Sequence, residues 1–396
     1  MTTTTTDRPI ALGFIGVANM GTTNLKEFLK EEDARVVALC DVDAGHLAKA
    51  KALVDEHNGD DTCLTFHDFR DLNACPDVDA VVVTTPDHWH ALQAIDAMEN
   101  GKDVYCEKPL TLSIAEGRAI CNAVERTGRI LQTGTQQRSA AEFRRACELV
   151  RNGALGELQT IETAIPPNNK ECEPTWEPMP VPEGFDYDFW LGPAPAAEYH
   201  EQRCHYQFRF VRDYSGGQVT NFGAHHVDIA QWALGMDESG PVAARGQGEF
   251  PESGLFSTAT KVDFTLTYAN GVEVRCITGG SKVTFVGSAG RLMVRRGKLE
   301  ADPASILDFE IPEDGVHLYE SANHYTNFLE CIRTRQQPVS PAEVGHRSAT
   351  CCHLANIAML LGRELKWDPA SERFPDDAEA DAMRLRPYRA PWVLKV

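Results

Sequence analysis

A glycine-rich segment near the start of the chain has residue types and a spacing suited to holding phosphate groups. It runs Gly13-Phe14-Ile15-Gly16-Val17-Ala18-Asn19-Met20-Gly21 and lies between a predicted buried strand and a predicted helix. In a dinucleotide fingerprint, the first glycine makes a tight turn, the second lets the backbone approach the pyrophosphate, and the third lets the helix pack on the sheet. Ala18 stands at the second position, and we expect its small methyl group to weaken the motif without abolishing it. The predicted phosphate-binding residues are Gly16, Ala18, Asn19, Met20 and Gly21.

An acidic residue follows this segment at the distance expected of a ribose ligand. Asp41 ends the second predicted strand, about 20 residues after Gly21. A carboxylate there can accept both ribose hydroxyls, and no arginine immediately follows it to hold a 2′-phosphate. The sequence therefore favours NAD over NADP. The alternative interpretation of Asp41 is a turn residue that precedes a helix.

The elements that must position these residues predict the fold class. Strands at 10–15, 35–40, 78–84, 104–107 and 130–133 alternate with helices at 20–31, 46–56, 90–100 and 114–127. Strands that are apolar on both faces and joined by helices imply a parallel sheet covered on both sides. Alternating polarity over 258–285, with a turn signal at Asn270-Gly271, predicts an antiparallel sheet. We therefore predict an α/β protein with an N-terminal doubly wound Rossmann domain and a C-terminal α+β domain whose large, mostly antiparallel sheet is open. The predicted bounds are 1–135 and 136–396, with a covering loop at 166–195 and a tail at 375–396.

Composition and charge limit the class of function. With 396 residues, 42% of them hydrophobic, the chain is long enough for two packed cores. A formal net charge of -20 repels phosphate backbones and anionic membranes, so we expect neither a nucleic acid nor a membrane as partner. Neither a long apolar run nor a signal-peptide pattern is present, which predicts a cytoplasmic protein. The twelve cysteines form no C-x-x-C pair and fit reduced, buried thiols better than disulfides or a zinc cluster.

Several motifs together resemble the glucose-fructose oxidoreductase/inositol dehydrogenase/MocA (Gfo/Idh/MocA) family. The motifs, spread over most of the chain, are Thr84-Thr85-Pro86-Asp87-His88-Trp89-His90, Cys106-Glu107-Lys108-Pro109-Leu110, Gly134-Thr135-Gln136-Gln137-Arg138, Trp190-Leu191-Gly192-Pro193 and the run from Gly216 to Asp228. The resemblance implies a Rossmann domain followed by a sheet whose open face often mediates homodimers or homotetramers. It also implies further contacts to the cofactor from Thr85, Pro86, His88, His90, Glu107, Lys108 and Gln136.

The same resemblance implies the catalytic residues. The Glu-Lys-Pro motif of the family supplies an active-site lysine, here Lys108, and an Asp-x-x-x-His pair supplies a base. His225 matches that histidine, whereas Asn221 stands where the family usually has aspartate. Oxidising an alcohol requires removal of the hydroxyl proton as hydride leaves for the nicotinamide. His225 can take this proton, while Lys108 can stabilise the developing alkoxide.

The replacement at position 221 leads to a specific hypothesis. Asn221 lies four residues before His225 and would share its face of a helix. An amide can orient the imidazole but cannot neutralise an imidazolium. We therefore expect a less basic His225 and a larger share of proton handling by Lys108 or His226.

The substrate side is less well defined by the sequence. The resemblance places Arg138, Tyr206 and Arg209 near the cleft, in addition to Lys108, His225 and His226. The run His225-His226-Val227-Asp228 also suggests metal ligands, but it lacks a second ligand cluster, so we predict no metal.

Three functions stay open at this point. The first is NAD-dependent oxidation of a hydroxyl group of a sugar, inositol or glycoside. The second is a redox-neutral enzyme that keeps NAD tightly bound and transiently oxidises a sugar, often at C3, to drive glycoside cleavage, elimination or epimerisation. The third is a non-catalytic sugar- or dinucleotide-binding protein, against which the retention of Lys108 and His225 argues.

Overall fold

The structure, a computed structural model, describes residues 8–395. Residues 1–7 of the predicted first domain and Val396 lie outside the described residues. Strands and helices alternate regularly up to residue 133, in the order β1 (Ile10–Ile15), α1 (Met20–Phe28), β2 (Ala34–Cys40), α2 (Ala44–Asn58), β3 (Leu64–Phe66), α3 (Phe69–Ala74), β4 (Ala80–Val83), α4 (Asp87–Glu99), β5 (Asp103–Cys106), α5 (Ile114–Thr127) and β6 (Leu131–Thr133).

These six strands form one parallel sheet in the order β3-β2-β1-β4-β5-β6. β1, β4 and β5 are buried at every position, which explains why they are apolar throughout except at Asp103, the first residue of β5. The chain order reverses between β1 and β4, so a crevice opens beyond the carboxyl ends of these two strands. The sheet confirms the predicted doubly wound fold, although β3 and α3 carry too few apolar residues to have been predicted.

The second half of the chain contains a second sheet and its covering helices. In chain order its elements are α6 (Ala141–Arg151), β7 (Leu158–Ile165), α7 (Tyr187–Leu191), α8 (Gln218–Asn221), α9 (Gly223–Leu234), β8 (Ala243–Glu249), β9 (Lys261–Thr267), β10 (Glu273–Thr278), β11 (Lys282–Gly287), β12 (Gly290–Arg295), β13 (Lys298–Asp302), α10 (His324–Thr334), α11 (Ala342–Leu361), β14 (Leu365–Lys366) and α12 (Ala378–Ala382). Short 3₁₀ turns lie at 136–139, 201–203, 207–210 and 304–308.

The second sheet has eight strands in the order β13-β12-β11-β7-β10-β9-β8-β14. Among the described strand pairs of this second sheet, only β7 and β10 run parallel. This confirms the prediction of a mostly antiparallel sheet. Helices α6, α9 and α11 pack on one face of it. The other face carries ion pairs between strands, such as Arg275 of β10 with Asp263 of the neighbouring β9 at 2.6 Å, and Arg291 of β12 with Glu162 of β7, across β11, at 2.6 Å.

Packing crosses the predicted boundary at residue 135. Phe328 and Leu329 of α10 belong to the core of the parallel sheet, where the Phe328 ring lies 5.8 Å from that of Tyr105. At the C-terminus, the ring of Trp392 lies 4.7 Å from that of Trp89. The two sheets are therefore tied together by segments that follow the second sheet in sequence.

The remaining predictions about the bulk of the chain concern thiols and membranes. All twelve cysteines lie within residues 8–395 and are free, ten of them buried, as predicted. Between residues 8 and 395, no helix has the length and apolar character needed to cross a membrane.

Candidate active site

The glycine-rich segment forms the loop from β1 to α1, and its conformation explains why an alanine is tolerated. Gly16 has φ 82° and Asn19 has φ 44°, so Asn19 rather than Ala18 takes the second positive φ of the loop. Asparagine accepts this region more readily than most residues. At Gly21, any β-carbon would lie 2.2 Å from the backbone oxygen of Gly16, so only glycine fits. The backbone of the loop is therefore that of a phosphate-binding turn despite the interrupted motif.

Asp41 follows β2 and holds the loop in place. Its carboxylate accepts hydrogen bonds from the backbone N–H groups of Val17 and Asp43, both at 2.9 Å. Burial raises the pKa of Asp41 and outweighs these two hydrogen bonds, which favour the charged form. The predicted contact of Asp41 with a ribose stays a prediction, and the side chain lies in the wall of the crevice where that contact would form.

The crevice is a cleft of about 1070 Å³ between the parallel sheet and a segment of the second half. Its Rossmann side contains most of the predicted cofactor ligands, namely Gly16, Ala18, Asn19, Met20, Asp41, Thr85, Pro86, His90, Glu107 and Lys108. The opposite wall consists of Phe185, Phe189, Trp190, His205, Phe208 and Arg209. The irregular loop 166–195 thus covers the cleft, as predicted. The covering segment extends beyond this loop to residue 209.

Lys108 lies two residues after β5 and points across the cleft. Its ammonium group donates to the backbone oxygen of Asn221 at 2.9 Å and to the side-chain Oδ1 of Asn221 at 3.1 Å. Burial lowers the pKa of Lys108 to about 8; the positive charge of Arg209 acts in the same direction, while Glu107 opposes it. An amine with this pKa can both accept and release a proton near neutral pH.

Two buried side chains hold the loops around Lys108. The carboxylate of Glu107 accepts from Asn24 at 2.9 Å and from Gln136 at 3.3 Å. The ring nitrogens of His90 face two carbonyl oxygens, that of Pro109 at 2.9 Å and that of Thr85 at 2.8 Å. A histidine can donate from both nitrogens only as an imidazolium. Burial opposes this charge, but Cys106 and Asp87 favour it, and the pKa of His90 is raised to about 10.

His225 and His226 lie in the first turn of α9 and are buried. Burial and, to a lesser extent, the positive charge of Lys108 lower the pKa of His225 well below 6.5. The direction of this shift is that of the predicted loss of basicity. His226 shares a hydrogen bond of 3.1 Å with the hydroxyl of Ser281, and burial lowers its pKa to about 4. Their Nδ1 atoms have no hydrogen-bond partner within the described part of the chain.

The expected contact between Asn221 and His225 needs correction. Phe222 separates α8 from α9, so the two residues do not belong to one continuous helix. The side chain of Asn221 instead accepts from Lys108 and donates to Gln218 at 2.9 Å. Asn221 therefore acts on the lysine rather than on the imidazole.

Seven predicted site residues do not line the cleft, namely Gly21, His88, Gln136, Arg138, Tyr206, His225 and His226. The ring of His88 is paired at 3.0 Å with the carbonyl oxygen of Trp190 and lines a second cavity. Gln136 donates to Glu107 at 3.3 Å, and Tyr206 lines a smaller neighbouring cavity. Arg138 is buried in ion pairs with Asp228 at 2.9 Å and Asp237 at 2.7 Å. These contacts occupy its guanidinium, and its predicted contact with a substrate stays a prediction.

The structure also adds residues that the sequence analysis missed. Asp87, in the cleft wall, accepts from the hydroxyl of Ser215 at 2.6 Å, and burial raises its pKa. It belongs to the same motif as His88 and His90, so the motif itself was the available signal. Arg296, in the turn between β12 and β13, lowers the pKa of both His225 and His226 by its charge. Nothing in the local sequence of Arg296 indicates that the turn lies near these histidines.

Fold and site together define a class. The 3-2-1-4-5-6 strand order, the phosphate-binding turn, the acidic residue after β2 and a lysine of lowered pKa in the crevice are those of a nicotinamide-dependent oxidoreductase with a second, sheet-containing substrate half. Residues 10–135 match the model of an oxidoreductase family with an NAD-binding Rossmann fold, and residues 170–394 match the C-terminal alpha/beta domain of the same oxidoreductase family. The chain belongs to the Gfo/Idh/MocA oxidoreductase family, and its cofactor is NAD.

Individual relatives agree with this assignment. The chain is 24% identical over 373 residues to the uncharacterized oxidoreductase YrbE of Bacillus subtilis, which covers 90% of this chain and 96% of the relative. It is 33% identical over 158 residues to a glycosyl hydrolase family 109 protein of Shewanella putrefaciens, and this match spans 39% of the chain and 34% of the relative.

Solved structures share the fold at low sequence identity. The aldose-aldose oxidoreductase of Caulobacter crescentus, solved with glycerol, has a TM-score of 0.68 at 21% identity, over 91% of this chain and 100% of that one. The scyllo-inositol dehydrogenase of Lactobacillus casei, solved with NAD(H) and scyllo-inositol, has a TM-score of 0.66 at 18% identity, over 91% and 99% of the two chains.

Proposed function

We propose that this protein is an NAD-dependent dehydrogenase that oxidises a hydroxyl group of a sugar, inositol or glycoside. The observation that carries the proposal is Lys108, which lies in the wall of the NAD cleft with a pKa lowered to about 8. The turn at Gly16–Gly21 would hold the pyrophosphate and Asp41 the adenosine ribose. When bound, NAD supplies the acceptor for the hydride.

The residues of the chain divide the remaining work. Lys108 takes the proton of the substrate hydroxyl and stabilises the oxygen while it carries negative charge. Asn221 fixes the direction of the ammonium through two hydrogen bonds. His225 is neutral at physiological pH because its pKa lies well below 6.5, so it would not compete with Lys108 for the proton of the hydroxyl. Arg209 adds a second cation to the cleft wall.

The opposite wall supports a carbohydrate or polyol substrate. Phe189, Trp190 and Phe208 present aromatic surface to the cleft. Such surfaces pack against the apolar face of a sugar ring, while the polar centre around Lys108 receives its hydroxyl groups. The solved relatives that act on aldoses and inositol support the same substrate class.

The test is to mix the protein with NAD and a panel of sugars, inositols and glycosides and to follow the nicotinamide absorbance together with released sugar. We expect NADH to accumulate with at least one substrate. Lys108→Met should lower kcat/KM by about 10²- to 10⁴-fold, the usual contribution of a proton-transferring side chain. Lys261→Met, which removes an exposed lysine of β9, is the matched control. Equal rates in the two variants would contradict the proposal.

A second candidate function is favoured by the way the cleft is closed. The N–H of Ala44 donates to the oxygen of Gly184, and the N–H of Asp186 donates to the oxygen of Val42, both at 2.9 Å. These hydrogen bonds, which we call the clasp, join the segment after β2 to the covering segment at the adenosine end of the cleft. A cofactor enclosed in this way would exchange slowly, as the redox-neutral cycle requires. That cycle predicts NAD that survives purification and released sugar without NADH, the opposite pattern to net dehydrogenation.

A further inference from the structure

We propose that Asp43, His46 and His205 form a binding site for a divalent cation of the zinc type at the rim of the cofactor cleft. Each residue offers one ligand atom, and these atoms all lie within 4.8 Å of one another. Two imidazoles and a carboxylate form a donor set that suits Zn²⁺ and leaves a fourth position for water. The proposed dehydrogenation does not use this cluster, so the two proposals stand independently.

The first two ligands are held by the start of α2. Oδ1 of Asp43 caps the helix by accepting the N–H groups of Gly45 at 2.9 Å and His46 at 3.0 Å. Its other oxygen, Oδ2, lies 3.7 Å from Nδ1 of His46. The cap therefore fixes the carboxylate with one oxygen turned toward the imidazole, which lowers the entropy lost when a metal binds.

The third ligand comes from the covering segment. The ring of His205 lies between the ring of His46, at a centroid distance of 5.0 Å, and that of Phe185, at 5.3 Å. The clasp is the backbone bridge that places Phe185 opposite Asp43. Because the ring of His205 packs on Phe185, the clasp brings His205 to the other two ligands, and the cluster exists before a metal arrives.

The groups around the cluster also suit a cation. Asp43 contributes a carboxylate, which attracts positive charge. The one other charged group that lines the adjoining cavity within the described residues is Lys49, an exposed side chain of α2 that can turn to solvent.

All three ligands line the rim of the NAD cleft, and His46 and His205 also line a smaller cavity that extends to Ala18 and Asn19 of the glycine-rich turn. We expect a metal bound at this rim to leave room in the cleft for the dinucleotide, so NAD and Zn²⁺ should bind together. If NAD and Zn²⁺ bind together, the histidines form a metal site. If NAD displaces Zn²⁺, the two imidazoles only contact the adenosine.

The experiment measures Zn²⁺ binding by calorimetry to protein that has been dialysed against a chelator and then saturated with NAD. Co²⁺ is added in parallel, because its visible absorption reports nitrogen and oxygen ligands in a tetrahedral site. Three variants are compared with the parent chain. His205→Asn keeps a residue that tolerates the φ of 51° at this position, and Asp43→Asn keeps a helix-capping side chain. His57→Asn removes an exposed histidine of the same helix and is the matched control.

We expect a single Zn²⁺ per chain in the parent and in His57→Asn. Loss of an outer partner of a metal ligand costs roughly 10- to 100-fold in affinity, so removal of the direct ligand in His205→Asn should cost about 100-fold or more. Asp43→Asn should also weaken Zn²⁺ binding. Its melting temperature in the absence of metal should equal that of the parent chain. Absence of saturable binding, equal affinity in His205→Asn, or loss of Zn²⁺ binding when NAD is present would each overturn the proposal.

Discussion

The ammonium group of Lys108 donates to both oxygen atoms of Asn221, at 2.9 Å to the backbone and 3.1 Å to the side chain. The direct partner of Lys108 is thus a neutral amide. A carboxylate in that place would stabilise the ammonium far more strongly than an amide does. Burial therefore lowers the pKa of Lys108 with no carboxylate at position 221 to oppose it.

We predict that Asn221→Asp raises the pKa of Lys108. A full negative charge about 3 Å from the ammonium favours the protonated form, and a charge pair at this range near a protein surface shifts a pKa by on the order of one unit or more. The limb of the pH profile of kcat/KM that reports deprotonation of Lys108 should move to higher pH, with slower turnover at neutral pH.

A charge-matched control for this variant lies in the β9–β10 hairpin. Asn270 is exposed, and its side-chain oxygen accepts from the N–H of Val272, which an aspartate can also do. Asn270→Asp should leave the pH profile where it is. If Asn221→Asp gave the same profile as this control, the amide would have no part in setting the pKa of Lys108.

We predict that Asp228→Asn destabilises the fold without a specific effect on substrate affinity. The side chains of Arg138 and Asp228 are 2% and 0% exposed, and removing the charge of Asp228 leaves Arg138 buried with the partly exposed Asp237 as its one ionic partner among the described residues. Removing one partner of a buried ion pair costs about 3–5 kcal/mol in the free energy of unfolding, and Asp237 should keep the loss near the lower end of this range. Urea unfolding measures it. Asp237→Asn removes the other, 31% exposed partner of Arg138 and should cost clearly less. If the two variants were equally stable, the buried pair with Asp228 would not be what holds Arg138 in the fold, and a role for Arg138 at the substrate would be favoured instead.

We predict that Glu343 contributes stability that is lost in acid. Burial alone would raise its pKa, but hydrogen bonds from Arg118 and Arg347 prevail and lower it from 4.5 to about 2. Because the folded pKa is below the unfolded one, the contribution is complete above about 4.5 and disappears as the pH falls toward 2. Glu343→Gln should therefore lower the unfolding free energy by about 1.5–3 kcal/mol at neutral pH, the range for hydrogen bonds to charged groups.

The decisive measurement for Glu343 is how the difference in unfolding free energy between Glu343→Gln and the parent depends on pH. This difference should become smaller as urea unfolding is repeated from neutral pH down to about 3. Glu379→Gln, which removes a 69% exposed carboxylate paired with Arg363, should differ little from the parent at any pH. A gap for Glu343→Gln that is constant with pH would show that its charge is not what stabilises the fold.

We propose that the chain self-associates through the open face of the second sheet. The charged side chains on this face make the proposal testable. The face carries the cross-strand pairs Arg275–Asp263, Arg291–Glu162 and Arg245–Glu273. Reversal of one charge by Arg275→Glu places like charges opposite one another and should shift a dimer or tetramer toward smaller species in analytical ultracentrifugation. Arg126→Glu, on the exposed surface of α5, should leave the distribution unchanged. If both variants sediment like the parent, the interface lies elsewhere.

Local sequence patterns were sufficient for many of the elements. β1 and α5 have the predicted bounds, because a continuous apolar strand and a helix ended by Gly128 are both encoded within a few residues. The apolar pattern of the sequence predicts a helix over residues 319–333, but helix α10 begins at His324. The side chain of Asn323 caps it by accepting from Tyr325 and Thr326, and this capping signal outweighs the apolar residues that precede it.

The sequence by itself determined the fold class, the family and the cofactor, because these depend on short motifs and on local periodicity. Only the tertiary structure decided which partners the polar side chains take. Arg138 and Asp228 are 90 residues apart, and Lys108 and Asn221 are 113 apart, yet each pair is in hydrogen-bond contact. A buried charge must find a partner wherever the fold offers one, and no local pattern specifies that choice. The same holds for His205, which meets Asp43 and His46 only because the covering segment folds back over the cleft.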